Sequence, residues 1–152
     1  MASRPVTEED YSIEALTRLT KTLPAFKLSY CRGENGWASD LGDGRAIIDN
    51  IPFHGPLRYL DVVEMDWCHR PVPKAGKIIW RAYGCKALVQ YPKGDAEQWY
   101  ANLRQLCAKH GWACEGAVAG FCVICLPGGA NLPAELARAG LAVERLELDC
   151  DG

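Results

Sequence analysis

Three places in the chain bring together residue types that do chemistry. Cys122 and Cys125 in "FCVIC" have the C-x-x-C spacing of redox and zinc sites, which need both sulfurs on a turn or helix start, within reach of one centre. Cys68 and His69 adjoin in "DWCHRPVP"; both are zinc ligands in kind, and the neighbouring Arg70 would favour a thiolate. His54 follows "DNIPF", with Asp49 and Asn50 close in sequence, the nearest approach to an acid–base setting.

Each place lacks a part. Phe121, Val123, Ile124 and Leu126 around the C-x-x-C imply a strand, where positions three apart point to opposite faces and cannot share a metal. Cys68 and His69 have no second pair at ligand spacing. His54 lacks a G-x-S-x-G or any comparable nucleophile and oxyanion donor. "GDGRAI" is not G-x-G-x-x-G, and "PGGAN" lacks the Lys and Ser or Thr of a phosphate loop. His110 falls in the last turn of an expected helix, where a cation complements the dipole. The expectation is therefore a non-enzyme with no cofactor and no metal; the enzyme alternative would use Cys68 with His69, or His54 with Asp49.

The elements that must carry these residues divide the chain. "TEEDYSIEALTRLTKTLP" predicts one helix, capped by Thr7, stopped by Pro24 and apolar along Ile13, Leu16, Leu19 and Leu23. From Phe26 the period changes from about 3.6 to 2. "FKLSYCR", the stretch around Trp37, "RAIIDNI", "YLDVVEMD" and "KIIWRAY" predict five strands with no helix between them, which close most easily into a small barrel. Beyond it, "CKALVQYP" is a strand and "GDAEQWYANLRQLCAKHG" the clearest helix, with Asp95 and Gln98 as a capping box, a stripe of Ala96, Trp99, Tyr100, Leu103, Cys107 and His110, and Gly111 past its end. "WACEGAVAGFCVICLP" is a hairpin, "NLPAELARAG" a short helix and "LAVERLEL" a last strand with a bulge between Val143 and Leu146. The expected fold class is α+β: an N-terminal helix over 1–24, a small β-barrel-like domain over 25–83, SH3-like or similar, and a ferredoxin-like βαββαβ half over 84–152.

The composition, 49% apolar and 24% charged, is that of a folded soluble protein. The N-terminal residues lack a secretory pattern and no run of eighteen apolar residues occurs, so a cytoplasmic location is expected. In a reducing compartment the eight cysteines would stay free, most of them as small buried hydrophobes. Net charge is −2, but it is segregated. Residues 34–66 hold seven acids against Arg45 and Arg58, residues 67–93 hold six bases and no acid, and residues 94–152 hold eight acids against four bases. Such segregation fits either solvated faces or a dipole that steers a charged partner.

"LGDGRAIIDNIPF" followed by "YLDVVEMD" resembles the core of a bacterial family known as the domain of unknown function 4265 family, over roughly 26–148 and most strongly over 41–66. The resemblance implies a GDGR-like turn, a DNIPF-like corner, a DVV-like strand and a C-terminal αβ segment, in that order. It departs after His54, where "GPLR" is compressed, and it implies no activity or catalytic residue. Physically, Asp43 and Gly44 suit a tight hairpin turn, Pro52 ends a strand, Gly55 and Pro56 turn the chain, and Asp49 and Asn50 can bond their own backbone. The stretch reads as turns shaping a barrel rather than an active site.

The leading functional expectation is a cytoplasmic binding protein that occludes another protein, as an immunity or antitoxin protein neutralises a basic toxin. Its contact residues would be Asp40, Asp43, Asp61, Glu64, Asp66, Glu144, Glu147 and Asp149, since acidic patches accelerate encounter with a basic surface. The alternative partner is nucleic acid, bound through segment 67–93 by Arg70, Lys74 and Lys77. Against it, Val123 and Leu126 stand where an RNA-recognition sheet needs aromatics. No membrane partner is expected.

Overall fold

A computed structural model describes residues 6–31, 33–67 and 71–151. Its contacts divide the chain into two compact units, 1–82 and 83–152.

The first unit is a ring-like sheet of five strands, β1 (Ala25–Cys31), β2 (Glu34–Gly42), β3 (Arg45–Ile48), β4 (Val62–Asp66) and β5 (Lys74–Trp80), paired in sequence order. Four pairings are antiparallel ladders, whereas β5 meets β1 through a single parallel pair, Ser29 with Lys74, the Ser29 N–H donating to the Pro73 carbonyl at 2.9 Å. The expected barrel is therefore a ring with one thin seam. Alternation fills it: Leu28, Tyr30, Ala38, Ala46, Ile48 and Val63 point inward and are buried. Ile47 and Val62 point outward and are buried beneath the N-terminal segment with Tyr11, Leu16 and Leu60. Register shifts in three of the ladders supply the curvature.

That N-terminal segment is not the single helix the sequence suggests. Tyr11 is drawn into the core against Trp80, ring centroids 5.7 Å apart. Residues Glu8–Asp10 consequently form a separate 3-10 turn, and helix α1 (Ile13–Thr22) restarts with Ser12 as cap, its hydroxyl oxygen accepting from the Ala15 N–H at 3.0 Å.

The second unit runs β6 (Cys85–Gln90), α2 (Ala96–His110), β7 (Ala113–Val118), β8 (Phe121–Leu126), α3 (Leu132–Arg138), β9 (Arg145–Cys150). The expected β-α-β-β-α-β order is found, and the four strands form one antiparallel sheet in the order β7-β8-β6-β9. Both helices pack on one face: Trp99, Leu103, Cys107, Leu132 and Leu136 meet Ala87, Val89, Cys122, Ile124 and Leu126. Gly111 ends α2 in the left-handed region at φ 73°, as its position predicts. The capping box does not form, because Gln98 turns along the helix and donates to Asn102 Oδ1 at 2.9 Å.

Strand β9 starts later than the alternation suggests and has no bulge in its register with β6. The residues before it anchor the chain instead: Leu141 is buried, and the Trp99 indole N–H donates to the Ala142 carbonyl at 2.8 Å. A second departure is covalent. Cys85 and Cys150, directly opposite each other on β6 and β9, form a disulfide, so the expectation that every thiol stays free does not hold. Among the described residues, no helix is long and apolar enough to cross a membrane.

Candidate functional site

The seam of the ring opens into a groove of about 400 Å³ lined by Phe26, Lys27, Asp40, Met65, Trp67 and the run Pro71, Val72, Pro73, with Pro24 at one end. Phe26 and Met65 also pack on the apolar interior of the ring, so the groove is the mouth of that core. Its lip is unusually apolar for a surface: Trp67 is 57% exposed and Val72 36%, the kind of clustered apolar exposure that marks binding sites. The edge of β1 fronts it. The Asp40 N–H donates to the Pro24 carbonyl and the Ser29 N–H to Pro73, so by strand alternation the main-chain groups of Ala25 and Lys27 face the seam. There β1 and β5 share only the Ser29–Lys74 pair.

The charged residues that line the groove are Lys27 and Asp40. Asp40 lines the groove and accepts from the Gly42 N–H at 2.8 Å. Asp43, Glu64 and Asp66 are exposed on the same unit, with Asp43 4.0 Å from Arg45 and Asp66 opposite Lys74 in the ladder. Lys27 lies over the exposed Trp37 ring, Nζ 4.2 Å from its centroid. Asp61 leaves the set of candidate contact residues because it is fully buried. Its carboxylate accepts from Arg81 Nε at 3.0 Å and Nη2 at 2.8 Å, and from the Arg58 N–H at 2.8 Å. Burial pushes this carboxyl above the usual carboxylate range, and the Arg81 and Arg58 contacts pull it part of the way back. Glu144, Glu147 and Asp149 are exposed in the second unit; Glu147 pairs with Arg145.

In fold, the chain resembles a hypothetical protein from Neisseria gonorrhoeae. The likeness has a TM-score of 0.51 at 13% identity and covers 84% of this chain and 93% of that one. At that identity it speaks for the architecture alone. No protein-family model matches the chain, and no curated protein matches it.

The remaining candidates are scattered by this architecture. Cys122 and Cys125 both lie in β8 and are buried, Cys122 in the core beneath the helices and Cys125 outside that cluster. His54 is exposed, and its neighbourhood is built for turning the chain: Glu34 accepts from the Phe53 and His54 N–H groups at 2.9 and 3.0 Å. Asn50 Oδ1 accepts from the Trp37 N–H of β2, and the Tyr30 hydroxyl donates to the Trp37 carbonyl at 2.7 Å. Asp49 is half-buried, which raises its carboxyl above the usual range. His110 stacks on Trp112 at 4.5 Å and meets Glu135 at 3.2 Å. Cys68, His69 and Arg70 lie outside the described residues.

Of the basic segment, Lys74 and Lys77 are exposed on β5, while Arg81 is committed to Asp61 and Lys86 is buried on β6 opposite Asp149. The six bases fall on two different units. The groove itself escaped sequence reading. Its signal was an aromatic and a proline pair, Trp67 and "PVP", beside a strand end, residues that alternation analysis discards as a loop.

Proposed function

We propose that this chain is a non-enzymatic binding protein whose groove takes an extended segment of a partner protein and thereby occludes it. The observation that carries the reading is the coincidence, at one seam, of an exposed apolar lip and main-chain groups of β1 that, among the described residues, face no partner strand. An extended peptide satisfies both, its main chain bonding to the edge and alternate side chains entering the groove. Asp40 in the groove, with Asp43, Glu64 and Asp66 exposed on the same unit, favours a partner segment carrying Lys or Arg. A basic toxin neutralised by an immunity or antitoxin protein is a partner of that chemistry. We read the first unit as SH3-like, the second as ferredoxin-like, and the 41–66 region as that of the domain of unknown function 4265 family; the β7-β8-β6-β9 order and the Asp43–Gly44 turn support these readings.

The test uses fluorescein-labelled ten-residue peptides that alternate apolar residues with Lys, read by polarisation. Binding is expected, lost in Trp67→Ala and Phe26→Asp and weakened in Asp40→Lys. Equal binding by these variants, or preference for peptides carrying Glu in place of Lys, would overturn the proposal.

A further inference from the structure

The second unit's sheet has two edge strands, β7 and β9, and they differ. Strand β7 is interrupted, its register with β8 shifting between Gly116 and Val118, and an irregularity of that kind blunts an edge. Strand β9 keeps an unbroken register with β6, from Gln90–Arg145 to Cys85–Cys150, and its sequence "RLELDC" holds neither the Pro nor the Lys that guard exposed edges. All of β9 except Leu146 is exposed, and Leu148 is a large apolar residue 46% open to solvent. The Cys85–Cys150 bond fixes the end of the strand to β6, so the edge is held in shape before anything meets it.

Each main-chain group of β9 can be assigned to one side of the strand. The Tyr91 N–H donates to the Gly120 carbonyl on the β8 side of β6, and the Asp151 N–H donates to the Gly84 carbonyl on the β9 side, at 2.8 and 2.9 Å. By alternation Lys86, Leu88 and Gln90 bond to β9, and Asp149, Glu147 and Arg145 bond back to them. The N–H and C=O groups of Leu146, Leu148 and Cys150 consequently face outward, where no strand of the described residues pairs with them. The side chains divide in the same way. Leu146 packs on the core beneath the helices, and Leu148 and Cys150 share its face. Arg145, Glu147 and Asp149 share the opposite face, where Arg145 pairs with Glu147.

We propose that β9 is a homodimer interface: two copies of this chain join edge to edge and antiparallel, about a twofold axis at Glu147, and their sheets become one. An isologous contact needs a strand that complements its own reverse, and charge and bonding choose the register. With the axis at Leu148, Glu147 would oppose Asp149 of the other copy on both sides of it, acid against acid. With the axis at Leu146, Leu148 would oppose Glu144, whose N–H is already given to the Gln90 carbonyl, so the ladder would be short. With the axis at Glu147, Leu146 opposes Leu148 on both sides and each pair exchanges both main-chain hydrogen bonds. Arg145 then opposes Asp149 of the other copy, a match of opposite charges made twice. Asp149 also lies opposite Lys86 on β6, and a carboxylate has acceptor sites for both cations. The leucines of the two copies form one apolar row on the helix-covered face. What opposes this register is Glu147 facing its own copy across the axis, a repulsion that its Arg145 partner offsets. Pairing through one strand is a small contact, so the dimer is reversible and depends on concentration.

The experiment is sedimentation equilibrium of the full chain, without reductant, over a wide range of concentrations. A monomer–dimer equilibrium is expected. Leu148→Pro removes an outward N–H and no bond to β6, and it should abolish the dimer with the far-ultraviolet circular dichroism of the monomer retained. Glu147→Gln removes the like charges at the axis and should tighten the dimer by up to about fivefold. The register is read from Glu147→Cys, whose introduced thiols should join two chains under mild oxidation. Arg145→Cys, which stands against Asp149 of the other copy, should not join in this way, and peptide mass spectrometry identifies the linked positions. A monomer at every concentration would overturn the proposal, as would a series of larger species, which head-to-tail pairing of β7 with β9 would give. So would dimerisation of Leu148→Pro equal to that of the unaltered protein, weaker association of Glu147→Gln, or linkage of Arg145→Cys as fast as that of Glu147→Cys.

Discussion

The Cys85–Cys150 bond should carry much of the stability of the second unit. It joins positions 65 residues apart, and the chain-entropy relation for a loop of that length gives about 4 kcal/mol at 25 °C. The unit holds residues 83–152, and a domain of that size has about 4–10 kcal/mol in all. Cys150→Ala is the cleaner perturbation, because Cys150 is exposed on an edge strand whereas Cys85 is buried in the core and its truncation would add a cavity. The assay is guanidinium unfolding read by labelling of Cys122 and Cys125, which are buried in the folded unit. The expected result is a loss of about 4 kcal/mol for Cys150→Ala, matched by the unaltered protein in dithiothreitol, with the variant itself insensitive to reductant. An intact mass showing eight alkylatable thiols under non-reducing conditions would refute the bond. A stability loss below about 1 kcal/mol would refute the entropic reasoning.

Gly36→Ala drives a Cβ into the Tyr30 ring, so it should cost about 1–3 kcal/mol by overpacking; Gly94→Ala, whose Cβ meets nothing within 4 Å, serves in a thermal melt to separate this clash from simple loss of a glycine. Asp61→Asn tests the sign of a buried charge: because burial raises the folded carboxyl above 3.8, the stability of the unaltered protein relative to the variant should fall as pH rises from 3.8 through the folded value, and a relative rise over that window would mean that the Arg81 pairing outweighs burial. Reversing Asp40, Glu64 and Asp66 to Lys should lower the association rate of a Lys-bearing peptide at low salt with little change at high salt, as stopped-flow mixing would show; an unchanged rate at low salt would remove these acids from the argument.

Much of the first unit was readable because period 2 and turn chemistry act within a few residues. Asp43 and Gly44 do form the tight turn their types demand, with φ of 56° and 74°, between paired Gly42 and Arg45. Phe26, Leu28 and Tyr30 face the interior as alternation requires. What failed was decided by distant partners. Thr7 does cap, with Asp10 completing a capping box, but it opens only the Glu8–Asp10 turn, because Tyr11 has a place against Trp80 far along the chain. Asp61 read as a surface acid within an acidic run, but Arg81, just beyond β5, and the Arg58 N–H make its burial tolerable. The opening of the ring was equally hidden, since a seam is a property of how β5 returns to β1 and not of either strand.

The groove exists because closure of a small ring stops short: once Ser29 and Lys74 pair, the chain before each diverges, leaving Phe26 and Met65 of the interior within reach of Trp67, Pro71 and Pro73. A longer β1–β5 ladder would bury the same apolar groups and satisfy the same backbone edge, so the unit forgoes stability that its own strands could supply. A partner strand would recover that stability on binding.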